Sequence, residues 1–407
     1  MFENLPMQTN IELNNLSSII LQRDSCSVCG GVVKPIIDLP ALPLTDTYCR
    51  ELIANPLSGI DQKLLYCQSC GHGQLETLVS PSVLYGSNYC FRTASSDTAR
   101  KGTEFFLSVI NEASPDRQFS CILDLGCNDL FLLKALKGRA KFRVGIDPIW
   151  EGKEDTRDDL SIQVIGKNFE DIELGRLPVK PDLIVCRHTL EHIIDPCKVV
   201  KSLIDIAADD ALFVFEVPGF DGLIQRFRFD QVFHQHAQYF TLFSFLKLLE
   251  VVGGKHLLHR FNFQDWGAMA IAFVKGADTE SKDAKLWSIS EISTRYTLFQ
   301  RQMSAAGELL TYHEGSPMYG YGAAQMLPVL GYHMGTDFNE LNAILDDDES
   351  KDGIMYWNLP VKITHSRNIN DLLEATVLIT AIDNVQPIMK KLLNQRPRHI
   401  ILPLNII

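Results

Sequence analysis

CILDLGCNDLFLLKALKG, residues Cys121 to Gly138, decides the fold. It opens with an apolar run that carries a single acid, Asp124, and ends on Gly126. Such a run, closed by a glycine, reads as a buried strand. LFLLKALKG then spaces its apolar residues as a helix does, and Gly138 is expected to close that helix. A strand, a glycine turn and a helix in this order open a parallel α/β unit. The turn lies at the carboxyl end of the strand, where such sheets take up ligands. FRVGID follows as a second strand. It ends on Asp147, about twenty residues past the glycine, where an acid can accept hydrogen bonds from ribose hydroxyls.

The alternation continues outward. PDLIVCRH and ALFVFEVPG read as strands, EHIIDPCKVVKSLIDIA as an amphipathic helix, and TLFSFLKLLEVVGG as a helix with a glycine stop. HLLHRFNF and AMAIAFVKG close the region as strands. The pattern predicts a mostly parallel, doubly wound sheet. Residues 277–312 read as a charged helical connector, and MYGYGAAQMLPVLGYHMG begins a second strand–glycine turn–helix unit. Its Gly320, Gly322 and Gln325 either hold a diphosphate at a helix N-terminus or form a fold element without a ligand. Asp346, Asp347 and Asp348 after the next strand read as a solvated turn. The expected class is α/β in three parts: an N-terminal module over 20–88, a central Rossmann-like domain over 89–276, and a smaller α/β Rossmann-like domain over 277–407.

The N-terminal part carries two Cys-x-x-Cys pairs, Cys26/Cys29 and Cys67/Cys70, each followed at once by Gly30 or Gly71. Four thiolates on tight turns match tetrahedral zinc, and a closed four-sulfur site is structural because no position is left for a substrate. Cys49, Cys90 and His72 are spare candidates. The whole chain has 407 residues, ten cysteines, 46% hydrophobic and 22% charged residues, and a formal net charge of −12. This is a globular composition, too long for one ordinary core. The acidic balance and the lack of a basic run argue against a nucleic-acid partner. The first residues lack a basic region followed by an apolar stretch, and no apolar run reaches membrane length. The expectation is a cytoplasmic chain with reduced thiols and no membrane partner.

DLGCND is not the dinucleotide fingerprint, which argues against a nicotinamide dehydrogenase. It is similar to the S-adenosylmethionine (SAM) turn of class I methyltransferases. On that reading Asp124, Gly126, Asn128 and Asp147 are the cofactor-binding candidates, with Phe169 in NFED as an aromatic face for adenine. Farther on, FDQVFHQHAQYF places His234 and His236 one residue apart. They fit a catalytic base, metal ligands or a polar loop. His188 and His192 are spaced like a metal pair, with no third ligand evident.

The ordered set CSVCGG…YCQSCGHGQL, DLGCND, HTLEHIIDP, EVPG with FDQVFHQHAQYF, and GYGAAQ resembles the SAM-dependent C-methyltransferases of nucleotide-linked deoxysugars, the tetronitrose and mycarose type. The resemblance covers nearly the whole chain. It implies zinc in the first module, SAM in the central domain, and a small-molecule nucleotide sugar held with help from the last. The implied reaction is methylation next to the ketone of a 4-keto sugar. Carbon becomes nucleophilic only after losing a proton, so the site needs a base and a donor to the enolate oxygen. The family reads Tyr-His-Glu-His where this chain has Phe233-His234-Gln235-His236. The resemblance makes His236 the base, with His192, His234 or Tyr89 as enolate donor. Leu130 stands where the family usually has glycine. An O- or N-methyltransferase, or a binding protein that kept the fold, are the other readings.

Overall fold

The computed structural model describes residues 21–45, 47–51, 59–80, 84, 93–95, 97–172, 179–263, 267–277, 279, 281–312, 315–369 and 371–404. The first sheet pairs β1 (Val33–Leu42), β2 (Ile60–Cys67) and β3 (Gly73–Leu75) antiparallel. The central sheet has seven strands. These are β4 (Phe119–Leu125), β5 (Ala140–Ile146), β6 (Ile162–Ile165), β7 (Leu183–Arg187), β8 (Leu212–Pro218), β10 (Gly254–Asn262) and β11 (Ala268–Lys275). β9 (Gln238–Tyr239) leaves this region and adds to the first sheet beside β3. The histidine stretch is therefore anchored to the cysteine module.

The central order is β10-β11-β8-β7-β4-β5-β6, parallel from β8 to β6 with an antiparallel hairpin at the other edge. The chain winds from β4 to β6 on one side and from β7 to β8 on the other. The switch point lies between β4 and β7, and a ligand crevice is expected beyond their carboxyl ends. The last sheet has five parallel strands: β12 (Met318–Tyr321), β13 (Ala343–Asp346), β14 (Ile363–His365), β15 (Thr376–Ile379) and β16 (His399–Ile401), in the order β14-β13-β12-β15-β16. The α/β class and its mostly parallel central sheet follow the strand–helix alternation.

Two elements differ from the sequence reading. The helix after β4 spans only Phe131–Ala135 and does not reach Gly138. Buried Arg143 on β5 donates to the Leu133 carbonyl at 2.8 Å, and the chain leaves the helix in tight turns to start β5. Residues 277–312 are more than a connector: the helix Ile289–Tyr312 buries Ile292, Phe299, Met303, Ala306 and Leu310 along one stripe. A single apolar cluster runs from Leu64 and Tyr66 of the first sheet through Phe220, Phe229 and Phe233 to Phe299, Leu330 and Ile363. Each fully buried phenylalanine contributes roughly 1.5–3 kcal/mol.

Candidate functional site

The two cysteine turns are copies of one another. Gly30 N donates to Cys26 O and Gly71 N to Cys67 O, both at 2.8 Å, and both glycines have φ of 69°. A side chain is strained at that φ, which explains the glycine after each pair. The turns bring the four sulfurs within 4.8 Å of one another, with 3.6 Å between Cys26 and Cys70 and 3.5 Å between Cys29 and Cys67. Zinc–sulfur bonds of about 2.3 Å require sulfurs about 3.8 Å apart in a tetrahedron, so the set fits zinc. His72 is not needed: its Nε2 lies 2.9 Å from Gln238 Oε1 on β9. Cys49 pairs in a separate short strand with Met355, and Cys90 lies outside the described residues.

The first glycine turn forms a cradle at the switch point. Gly126 has φ of 79°, and a Cβ there would fall 1.9 Å from Thr189 Oγ1. Its amide donates to Ile146 O at 2.8 Å. Asp147, at the end of β5, accepts from Asn128 N at 2.9 Å and Ile149 N at 3.0 Å. Trp150 Nε1 donates to Asn128 O, which fixes the turn from outside. Phe169 lies just past β6, buried in one apolar cluster with Ile146. Leu130 takes φ of 65°, but its side chain is buried with Phe106 and Leu133 and leans away from the cleft.

Asp124 and Arg187 line the same cleft as Gly126 and Asn128. Asp124 Oδ1 and Arg187 Nη2 are buried and have no hydrogen-bond partner among the described residues. Burial pushes the Asp124 pKa up to about 8; Asp147 adds to the push and Arg187 opposes it. A buried carboxylate and a buried guanidinium left open together match a zwitterionic amino acid, the methionine end of SAM. The cleft fits that cofactor. Arg187 went unnoticed in the sequence, where its one signal is a cation at the end of a strand beside the switch point.

The histidines converge from two elements. His192 closes the short turn Leu190–His192 after β7, and its Nδ1 lies 2.7 Å from the Gln235 carbonyl. His236 stands across from it, with ring centroids 5.0 Å apart. Phe233 packs on His236 at 4.2 Å. His236 Nδ1 has no hydrogen-bond partner among the described residues. Burial lowers the His236 pKa to about 3, with the neighbouring His192 adding to the effect, so the ring is neutral at pH 7. His234 is different: its Nδ1 lies 3.3 Å from Gln62 Nε2 and its Nε2 3.0 Å from Leu42 O, so both nitrogens are engaged by protein. Tyr89 lies outside the described residues.

Gln235 sits at a seam. Its Oε1 accepts from Thr45 Oγ1 at 3.1 Å and from Gln325 Nε2 at 3.0 Å, so the first module and the last sheet meet on this side chain. Behind the histidines lies a buried charged group of which the sequence singled out only His188. Glu216 Oε1 is 3.2 Å from Arg187 Nε and 2.7 Å from His188 Nε2, and His188 Nδ1 is 3.4 Å from Glu191 Oε1. The line runs from the cofactor cleft to the histidine pair. Glu216 lies on β8, far from the others in the chain, so no local spacing announces it.

Residues 98–257 match a family model described as a methyltransferase domain, and residues 26–85 match one described as a zinc binding domain. A curated relative, C-methyltransferase NovU of Streptomyces niveus, is 24% identical over 288 residues, covering 68% of this chain and 67% of the relative. Among solved structures, a SAM-dependent methyltransferase from Clostridium acetobutylicum is 16% identical over 45% of this chain and 94% of its own, with a TM-score of 0.35. N-methyltransferase NodS from Bradyrhizobium japonicum, in complex with S-adenosyl-L-homocysteine, is 14% identical over 44% and 88%, with a TM-score of 0.34. No helix among the described residues is long and apolar enough to cross a membrane. The cleft with its open Asp124 and Arg187, the four-sulfur module and the two matched domains have one reading: the chain joins a SAM-dependent methyltransferase domain to an N-terminal zinc-binding module.

Proposed function

We propose that the chain methylates the carbon next to the ketone of a nucleotide-linked 4-keto-6-deoxysugar. The observation that carries this is His236, a neutral imidazole with an open Nδ1 facing His192 beside the SAM domain. A hydroxyl or amine acceptor would need a base at most, since it attacks through its own lone pair and forms no enolate for a second histidine to meet. The likeness to a C-methyltransferase supports carbon.

Bound SAM supplies an electrophilic methyl on a sulfonium and leaves as S-adenosylhomocysteine. Asp124 would receive the ammonium of its methionine end and Arg187 the carboxylate, and Asp147 and Phe169 would meet the ribose and adenine. His236 takes the proton from the sugar carbon, and the C–H electron pair becomes the enolate that forms the new C–C bond. His192, oriented by the Gln235 carbonyl, presents Nε2 to the enolate oxygen and, with a proton taken up from solvent on that nitrogen, donates a hydrogen bond there. The proton on His236 returns to solvent after methyl transfer. His234 braces the loop. The last sheet brings Gln325 to the site and helps hold the nucleotide.

The test uses the zinc-loaded full chain, SAM and a panel of TDP-, GDP- and CDP-linked 4-keto-6-deoxysugars in deuterated water, read by mass spectrometry. One sugar is expected to gain a methyl, and without SAM to exchange its α-hydrogen for deuterium. His236→Ala is expected to lose both. Wild-type exchange in a folded His236→Ala protein would sink the assignment. Phe233, which packs on His236 without a hydroxyl, favours a second reading, methyl transfer to oxygen or nitrogen.

A further inference from the structure

The proposed base has a cost that the histidines cannot meet between them. When His236 takes a proton it becomes a cation among His192, His188 and the apolar rings of Phe233 and Tyr239. A nearby carboxylate would offset that charge. Gln235 carries an amide, and its side chain is turned into the seam with Thr45 and Gln325.

We propose that Glu191 is the positioning carboxylate of the histidine pair, the counter-charge that lets His236 hold a proton and His192 donate one; this rests on the enolate reading above. Glu191 is 1% exposed, and neither of its oxygens has a hydrogen-bond partner among the described residues. Its Oε1 is 3.9 Å from His192 Nε2, and ligand atoms of Glu191, His192 and His236 lie within 4.8 Å of one another. Such a group does not stay buried without a task or a partner. Among the described residues its nearest partner is His188, 3.4 Å away and itself 2.7 Å from Glu216. Burial alone would raise the Glu191 pKa, but His188, His192 and His236 hold it down to about 2. Burial would likewise lower that of His188, yet Glu191 and Glu216 lift it to about 9.

Two histidines and a carboxylate are also a metal-binding composition. The charge count speaks against an ion. Arg187 and His188 already balance Glu191 and Glu216, and a dication would stand uncompensated beside a sulfonium. With a neutral His236 the charges of Arg187, His188, Glu191 and Glu216 cancel at rest. The protons that arrive in the reaction are what Glu191 is placed to meet.

The titrations need no sugar, so a wrong acceptor would leave them intact. Histidine-labelled, zinc-loaded full-length protein is titrated by NMR as wild type, Glu191→Gln and Glu191→Asp, with melting curves as the control for folding. In Glu191→Gln the proton affinities of His188 and His236 are each expected to fall at least tenfold, and Glu191→Asp to recover most of the loss. In the α-hydrogen exchange assay the rate limb that reports His236 is expected to shift in the same direction. If Glu191→Gln does not fold, the titrations of Glu191→Asp are expected to lie below wild type by a smaller step. Unmoved titrations in either folded variant would overturn the proposal. So would metal analysis of the wild type showing a second divalent ion per chain, beyond the four-cysteine zinc, that Glu191→Gln loses.

Discussion

The chain builds the same glycine turn twice and uses it differently. After β4, Gly126 N donates to Ile146 O; after β12, Gly322 N donates to Leu345 O at 2.7 Å. Asp147 accepts from the turn at Asn128 N, and Asp346 accepts from Ala323 N at 2.7 Å. Each acid also accepts the amide two residues on, from Ile149 and from Asp348. Trp150 fixes one turn carbonyl from outside, and Lys351 Nζ the other at 2.9 Å. Around the first turn, Asp124 and Arg187 keep buried atoms without partners among the described residues. Around the second, Thr380 Oγ1 closes on Gly322 O at 2.7 Å, and Asp347 is held by Tyr321, Ser366 and Lys391. The backbone device is common to many α/β domains. Open charge at the turn is what marks a ligand site.

The sharpest way to break the comparison is to make the same lesion in both turns. Gly126→Ala puts a Cβ 1.9 Å from Thr189 Oγ1, and Gly322→Ala puts one 2.3 Å from the Ala381 Cβ, both at positive φ. Each is expected to cost roughly 1–3 kcal/mol of local strain. By calorimetry, Gly126→Ala should weaken S-adenosylhomocysteine binding by more than about a hundredfold, the clash lying in the cleft itself. Gly322→Ala should lower the melting temperature by several degrees and leave that affinity within about twofold. Equal losses would mean that the two turns do not differ in role.

Asp124→Asn comes next and is expected to weaken S-adenosylhomocysteine roughly ten- to hundredfold, the worth of a hydrogen bond to a charged group. The pH dependence sharpens this. A carboxyl with a pKa raised to about 8 is protonated below that pH in the free protein, whereas the bound ammonium needs the carboxylate. Affinity should therefore rise with pH up to about 8, by about tenfold per unit, with proton release. Asp124→Asn should flatten the profile. The smallest effect belongs to the second turn. Gln325→Ala removes one hydrogen bond to Gln235 and should cost about 1 kcal/mol or less of stability, leaving S-adenosylhomocysteine affinity unchanged.

The α/β class was legible because apolar runs alternate with helical patterns and glycines mark the turns. The four-cysteine site was legible because both pairs share a spacing and a following glycine. Leu130 was not, since its departure from glycine says nothing of where the side chain goes; burial with Phe106 and Leu133 decides that. The short helix after β4 depends on Arg143, a tertiary contact outside the local pattern. Spacing alone treats His234 and His236 alike, and Gln62 and Leu42, from another sheet, take His234 out of the donor candidates that the resemblance offered. Glu191 and Arg187 lay in plain view within RHTLEH. Their meaning depends on Glu216, which only the packing of β7 against β8 brings alongside.

The central claim is that the methyl goes to carbon. The most direct measurement is carbon-13 NMR of the product formed from methyl-labelled SAM and the accepting nucleotide sugar. A labelled methyl in the aliphatic region, coupled to a ring carbon that has lost its exchangeable hydrogen, is the predicted result. A label in the methoxy or N-methyl region would contradict the enolate mechanism and leave His236 without the proton transfer assigned to it.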